Sequence, residues 1–171
     1  MLRLSLDHRE ALLQSFARGF EHLQEALQLT PPEMWDFQPS EDHWNVRQIL
    51  VHLADSEANG YIRLRRILAE PGGMIMGYDE DGWARLQPDD PQSALLAQDA
   101  FRVLRELNWR LIALQPDEAW AQYAMHNERG RITLEDWLEM YENHVHLHIA
   151  QIERTFRRWQ QTRTTGAALA G

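Results

Sequence analysis

Three histidines crowd one short stretch, Tyr141-Glu-Asn-His-Val-His-Leu-His-Ile-Ala-Gln-Ile152, and imidazole is the side chain that ligates transition metals or moves protons near neutral pH. On a helix, His144 and His148 stand four residues apart and stack on one face, while His146 is turned by about 200° from each. The pair forms a two-point metal clamp. Two imidazoles do not complete a tetrahedral site, so spacing alone leaves a second reading, in which all three are partly exposed surface histidines.

A helix must carry them, and the surrounding pattern supplies one. Leu134, Leu138, Tyr141, Val145, Ile149, Ile152, Phe156 and Trp159 recur at helical spacing without Pro or Gly between Ile132 and Arg163, and Thr133 with Asp136 three residues on is a helix-start signature. His144 and His148 fall on one flank of that stripe, where a neighbouring helix can add ligands. Three further amphipathic segments are expected. Residues 7 to 28 present Leu12, Leu13, Phe16, Phe20, Leu23 and Leu27 and stop at Thr30-Pro31-Pro32. A second begins at Asn45, whose side chain can cap the helix with Gln48 answering it. It carries Val46, Ile49, Leu50, Leu53, Glu57, Tyr61, Leu64 and Leu68 to Pro71-Gly72-Gly73. His52 lies on a flank of this stripe, which periodicity alone reads as a surface position. Asp90-Pro91 opens the third, with Leu95, Leu96, Phe101, Leu104, Leu107, Leu111 and Leu114.

The connections are long and aromatic. Trp35, Phe37 and Trp44 are expected to pack on the bundle, and an insert over residues 72–91 is long enough to cover a site. Asp79, Glu80 and Asp81 lack the spacing of a calcium loop and read as the start of a short helix through Trp83. Another mixed loop runs through Trp120, Tyr123, His126, Asn127, Glu128, Arg129 and Gly130. With no convincing strand, the expectation is an all-α four-helix bundle spanning residues 1–160 as one domain, followed by a flexible C-terminal tail over 161–171. The longer links argue against simple up-down-up-down wiring.

Composition narrows the chemistry. The chain has 171 residues and no cysteine, which excludes disulfides, thiolate metal sites and thiol nucleophiles. It has no lysine either, which excludes Schiff-base chemistry and P-loop phosphate binding. A net charge of −9 disfavours nucleic acid as a partner. Arg154, Arg157, Arg158 and Arg163 read as a solvated face suited to a helix C-terminus. The first residues do not form a signal peptide and no run is long enough to span a bilayer, so a cytoplasmic protein with no membrane partner is expected. None of the 8 histidines has Glu three residues before it, which removes the ferritin-like carboxylate site. His-Glu-x-x-His and Gly-x-Ser-x-Gly are also absent.

Four pieces in order carry a resemblance: Trp44-Asn-Val-Arg-Gln-Ile-Leu-Val-His52-Leu-Ala-Asp-Ser-Glu57, Tyr78-Asp-Glu-Asp-Gly-Trp83, His126-Asn-Glu-Arg-Gly130-Arg-Ile-Thr-Leu134, and His144-x-x-x-His148-x-x-Gln151-Ile152. Together they resemble the DinB-like (YfiT-like) metalloenzyme family over nearly the whole chain to about Trp159. The resemblance implies an up-down-down-up four-helix bundle holding a divalent metal on His52, His144 and His148. Zinc or nickel suits three neutral imidazoles and an open position. Asp55, Glu57, Asn143 and Gln151 are candidates for orienting the ligands, and the position after the first fourth-helix histidine, often acidic in relatives, is Val145 here.

The activity implied is that of a metal-dependent enzyme. Either a low-molecular-weight thiol is activated for S-transfer or isomerisation, as in relatives that use bacillithiol or mycothiol, or a substrate is cleaved by metal-hydroxide hydrolysis. His126 is the candidate catalytic acid, base or substrate contact; the alternative role is capping the turn beside Gly130. The competing expectation from another class is a non-enzymatic, metal- or ligand-binding bundle module, stress-related in role. A small-molecule substrate and a homodimer through helix faces complete the expected partners.

Overall fold

The computed structural model describes residues 4–41, 43–86 and 90–169, with side chains as far as residue 164; the other positions, among them 1–3, 87–89 of the insert and 170–171 of the tail, lie outside the described residues. Six α-helices and three short strands follow in the order α1 (Leu6–Ala17), α2 (Gly19–Gln28), α3 (Val46–Ala69), β1 (Met74–Ile75), α4 (Glu80–Leu86), α5 (Pro91–Ile112), β2 (Tyr123–His126), β3 (Gly130–Thr133) and α6 (Leu134–Leu169). The long helices α3, α5 and α6 pack with the α1–α2 pair as a four-helix bundle. No helix among the described residues is long and apolar enough to cross a membrane.

Contacts between helices set their directions. Ser15 reaches Glu142 and the His22 ring lies beside His146, so α1–α2 and α6 ascend together. Glu57 pairs with Arg105 and Arg65 with Asn108, so α3 and α5 also run alike. Between these two groups the sense reverses, because Gly60 meets Trp137 while the earlier His52 meets the later His144. This is the up-down-down-up arrangement. Parallel α3 and α5 oblige the chain to climb back along the bundle between Ala69 and Pro91, which explains the length of the insert.

Helix starts follow the local chemistry. Asn45 and Gln48 form a reciprocal capping box at α3, and Asp90 Oδ1 accepts the Ser93 amide at 2.9 Å with Pro91 in the first turn of α5. Thr133 and Asp136 exchange hydrogen bonds at the head of α6. Asp79 Oδ1 accepts the Gly82 amide at 2.9 Å, starting α4 where the acidic run suggests a short helix. Trp35 and Trp44 pack against the core beside Leu23, Ile49 and Phe101.

Three features depart from the periodicity. The expected first helix is broken at Arg18, and Gly19 restarts it where a Cβ would sit 3.5 Å from both Arg105 Nη1 and Val145 Cγ1. A three-stranded sheet, β1 parallel to β2 and β2 antiparallel to β3, ties the insert to the hairpin before α6. Strands of two to four residues are too short to show an alternating pattern. The backbone of α6 stays helical to Leu169, into the stretch expected as a tail.

The core holds a buried ion pair. Arg105 Nη2 lies 2.9 Å from Glu57 Oε2, both side chains 2% exposed, and Asn108 donates to Glu57 Oε1 at 2.9 Å. The same guanidinium donates to the Tyr141 carbonyl and lies over the rings of Phe16 and Phe101. Burial raises the Glu57 carboxyl above its usual range against the opposing pull of Arg105 and Asn108. Glu57→Leu alone should strand Arg105 and cost about 3–5 kcal/mol in urea unfolding, while Glu57→Leu with Arg105→Met should recover most of that loss. Equal losses in the single and double variants would show that the two residues are not coupled.

Candidate metal centre

His52 enters from the first turns of α3, and His144 and His148 from one face of α6. In the antiparallel pairing of these helices, His52 Nε2 and His148 Nε2 each lie 3.1 Å from His144 Nε2. The three rings stand edge-on to one another, with centroids 4.5 to 5.0 Å apart. His52, expected from periodicity at a surface, is 2% exposed. Its flank is covered by α6 and by Trp44, and neither cover is visible in the pattern of α3 alone.

The arrangement suits a cation better than it suits hydrogen bonding. Gln151 Oε1 lies 3.0 Å from His148 Nδ1; an amide oxygen only accepts, so the proton sits on Nδ1 and the His148 Nε2 presents a bare lone pair. His144 Nε2 can donate to one neighbour at a time, which leaves lone pairs or protons opposed at the other 3.1 Å contact. One cation in the middle satisfies all three nitrogens. Ligand distances of about 2.0–2.1 Å put nitrogens roughly 2.8 to 3.4 Å apart at angles from 90° to tetrahedral; both spacings to His144 lie in that range, and one ligand atom from each of the three residues lies within 4.8 Å of the others. The residues therefore fit a divalent ion on three neutral imidazoles.

Burial keeps the imidazoles neutral. Desolvation and then the neighbouring His148 lower His52 to about 3. Desolvation, followed by His148 and His52, lowers His144 to about 2. Desolvation also lowers His148. The unfolded chain takes up these protons near 6.5 while the folded site refuses them. Metal-free protein is thus fully stable with respect to these groups above about 6.5 and loses stability as pH falls from there towards 3.

Around the triad the two sides differ. Trp44 lies 4.6 Å from the His52 ring and is stacked on His148 at 6.1 Å, closing one side. A cavity of about 260 Å³, which Trp44 does not line, reaches the triad at His144 and is walled by Ser56, Tyr78, His126, Asn143, Arg63 and Arg129, among others. Burial holds the Tyr78 hydroxyl protonated, well above its ordinary range.

His126 ends β2 at the cavity wall and is 5% exposed. Its Nδ1 accepts the amides of Glu128 at 3.2 Å and Arg129 at 3.4 Å. The ring therefore caps the turn and also faces the cavity. Burial first and Arg63 second lower its pKa, so the neutral ring carries its proton on Nε2.

Other candidates separate. Gln151 orients His148 as noted, and Asn143 lines the cavity. Glu57 is committed to Arg105 and Asn108. His146 faces the opposite way, 3.1 Å from Glu142 and beside Ser15. Sequence reasoning placed Trp44 and Tyr78 only as loop residues, although both stand within the stretches that carry the family resemblance.

In protein purified without a polyhistidine tag, His52→Ala, His144→Ala and His148→Ala should each lose most of the bound metal by elemental analysis, and His146→Ala should keep it. Metal-free protein should also show a larger drop in urea midpoint from pH 7 to pH 5 than a variant with Gln at all three ligand positions. Equal drops would mean that the histidines are not the groups refusing protons.

Comparison with known proteins agrees with this geometry. Over 162 residues the chain is 32% identical to the Bacillus subtilis protein named "Putative metal-dependent hydrolase YfiT", covering 91% of this chain and 88% of the relative. The solved structure of B. subtilis YfiT, described as having "an unusual four-helix bundle topology", superposes with a TM-score of 0.82 at 27% identity, covering 94% of this chain and 92% of that one. A mycothiol-dependent maleylpyruvate isomerase shares the fold at a TM-score of 0.61 and 15% identity, over 87% of this chain and 63% of that one. A profile of the DinB superfamily matches residues 15–152, and the chain belongs to that superfamily.

Proposed function

We propose that this protein is a metal-dependent hydrolase of small molecules, with His52, His144 and His148 holding a zinc or nickel ion. One observation carries the reading: three convergent neutral imidazoles pack against Trp44 and meet, at His144, a cavity with polar walls. A structural ion in a non-enzymatic module has no need of such a cavity, because closed structural sites fill the fourth position with protein. An ion on three histidines supplies Lewis acidity and lowers the pKa of a water or thiol that ligates it.

The chain's own residues do the rest. Gln151 fixes the His148 ring and its tautomer, which keeps Nε2 available. His126, with Nδ1 occupied by two backbone amides, offers Nε2–H as a donor to a substrate oxygen at the cavity wall. Tyr78 and Asn143 add hydrogen-bonding groups, and Arg63 and Arg129 share the wall with Glu80 and Glu128, so the lining offers charged groups of both signs to a polar substrate. The volume suits a small molecule. The name of the B. subtilis relative supports hydrolysis.

The thiol-transfer variant uses the same centre with a different nucleophile. Its support is the thiol dependence named for the isomerase that shares the fold. Cobalt-substituted protein separates the two. Under the hydrolase reading, a panel of small activated esters and amides shows turnover that is lost in His144→Ala and falls roughly 10–100-fold in His126→Gln with metal content unchanged. A sulfur-to-metal charge-transfer band on adding small thiols, with no hydrolytic turnover, would replace hydrolysis by thiol transfer. Loss of neither activity in His144→Ala would remove the centre from the chemistry.

A further inference from the structure

A second cavity adjoins the first. About 190 Å³ in volume, it is lined by Asn59, Ile62, Arg63, Arg66, Ile75 and Met76. Arg63 belongs to both walls, and Met76 on this side is the chain neighbour of Gly77 on the other. The partition is therefore one arginine side chain set against the peptide that follows β1, where Arg63 Nη2 donates to the Met76 carbonyl at 2.5 Å.

The two cavities differ in charge. Glu80 and Glu128 share the wall of the first with Arg63 and Arg129, whereas the second is lined by two arginines and no acid. Asn59, Ile62, Arg63 and Arg66 follow an i, i+3, i+4, i+7 spacing and so stand on one face of α3. Arg63 Nη1 donates to the Tyr141 hydroxyl at 3.0 Å, and Arg66 Nη1 to the Met74 carbonyl at 2.7 Å. Neutral oxygens thus hold both guanidiniums in place without cancelling their charge, and among the described residues neither pairs with a carboxylate. Arg63 Nε is buried and has no hydrogen-bond partner, a costly state for a donor unless a ligand oxygen completes it. Beside these cations lie apolar side chains that the core does not claim: Ile62 is 56% exposed and Met76 59%.

We infer that the second cavity receives the far end of the substrate, which is an elongated small molecule with an anionic terminus, carboxylate or phosphate, joined by an apolar spacer to the group that reacts at the metal centre. This rests on the reading of the three histidines as an enzymatic centre. Arg63 and Arg66 present planar forks of donors that match the terminal oxygens, and because both are already anchored, little ordering is left to be done on binding. Ile62, Ile75 and Met76 flank the spacer. Glu80 and Glu128 repel the same terminus from the first cavity and direct it past Arg63. From His52 the axis of α3 rises about 16 Å to Arg63 and about 21 Å to Arg66, and helical side chains lean back towards the N-terminus. A ligand that spans from ion to arginines is therefore roughly 12 to 18 Å long.

Calorimetric titration of the metal-loaded full chain with straight-chain dicarboxylates of increasing length, each beside the monocarboxylate of the same length, tests this. One carboxylate ligates the ion in both series, and only the dicarboxylate has a charge to offer the arginines. The ratio of the two affinities should stay near one for short chains and rise at least about 10-fold once the chain spans the distance. Arg66→Gln should return the ratio to within about 2-fold of one at every length, and Arg66→Lys should keep part of the gain. If Arg66 serves only to tie β1 to α3, both series weaken alike in Arg66→Gln and the ratio stands, which overturns the proposal. A wild-type ratio that is flat with length overturns it too. The Arg63 Nε–H resonance should shift with the long dicarboxylate and not with its monocarboxylate. Replacing the far carboxylate by a phosphonate separates the two termini, the larger ratio marking the one the arginines prefer. Turnover plays no part in these measurements, so hydrolysis can fail with the ratios intact and the ratios can collapse with hydrolysis intact.

Discussion

One buried guanidinium sets the geometry on which everything else rests. Arg105 reaches from α5 to the carboxylate of Glu57 on α3 and the carbonyl of Tyr141 on α6, and lies against Phe16 of α1. A charge taken out of water demands compensation at fixed distances, so it fixes the lengthwise position of these helices in a way that apolar packing does not. Sliding α6 by one turn would separate Tyr141 from Arg105 and carry His144 away from His52 together. The register that satisfies the charge is the register that assembles the histidines.

A second constraint sets how closely α3 and α6 approach. Gly60 lies within α3, where glycine costs about 0.5–1 kcal/mol relative to alanine. A Cβ there would fall 2.6 Å from Tyr141 Cε1, and the Gly60 carbonyl accepts the Trp137 indole at 3.2 Å. The glycine therefore lets the helices approach closely about two turns along α3 from His52. Two imidazoles on one helix and one on the other can then converge at single-ion distance, with no loop residue needed to bridge them.

Much of this was legible in the sequence because it is local. The capping residues Asn45, Asp90 and Thr133 announce their helices, the i, i+4 spacing pairs His144 with His148, and the same arithmetic turns His146 away. What was hidden depends on neighbours distant in the chain. His52 looks like a surface residue until α6 and Trp44 cover it, and Glu57 looks like a candidate partner for the histidines until Arg105 is seen to claim it. Family resemblance supplied His52 where periodicity did not. The three strands escaped notice because they are short and because β1 and β2 are joined through the fold, with more than forty residues between Ile75 and Tyr123. The break at Gly19 leaves only one glycine as its mark, and an isolated glycine within a helical pattern is ambiguous.

The cavity is bounded by two kinds of wall. Ser56, Tyr141, Asn143 and His144 belong to the bundle helices, whereas Gly77, Tyr78, His126, Glu128 and Arg129 belong to the insert and the hairpin. These two peripheral segments are pinned to each other, the Gly77 amide donating to Asn127 Oδ1 at 2.7 Å and the Asn127 amide to the Ile75 carbonyl at 3.2 Å. Under the proposed function, the imidazoles that would hold the ion and most of the opposite wall thus sit on separate parts of the chain, with His126 of the hairpin contributing to both roles. Drift in the insert and hairpin can reshape what the cavity admits while the helices that carry the imidazoles stay under their own packing constraints. A scaffold divided in this way can change the shape of what it admits through two surface segments, with its cluster of helix-borne imidazoles left in place.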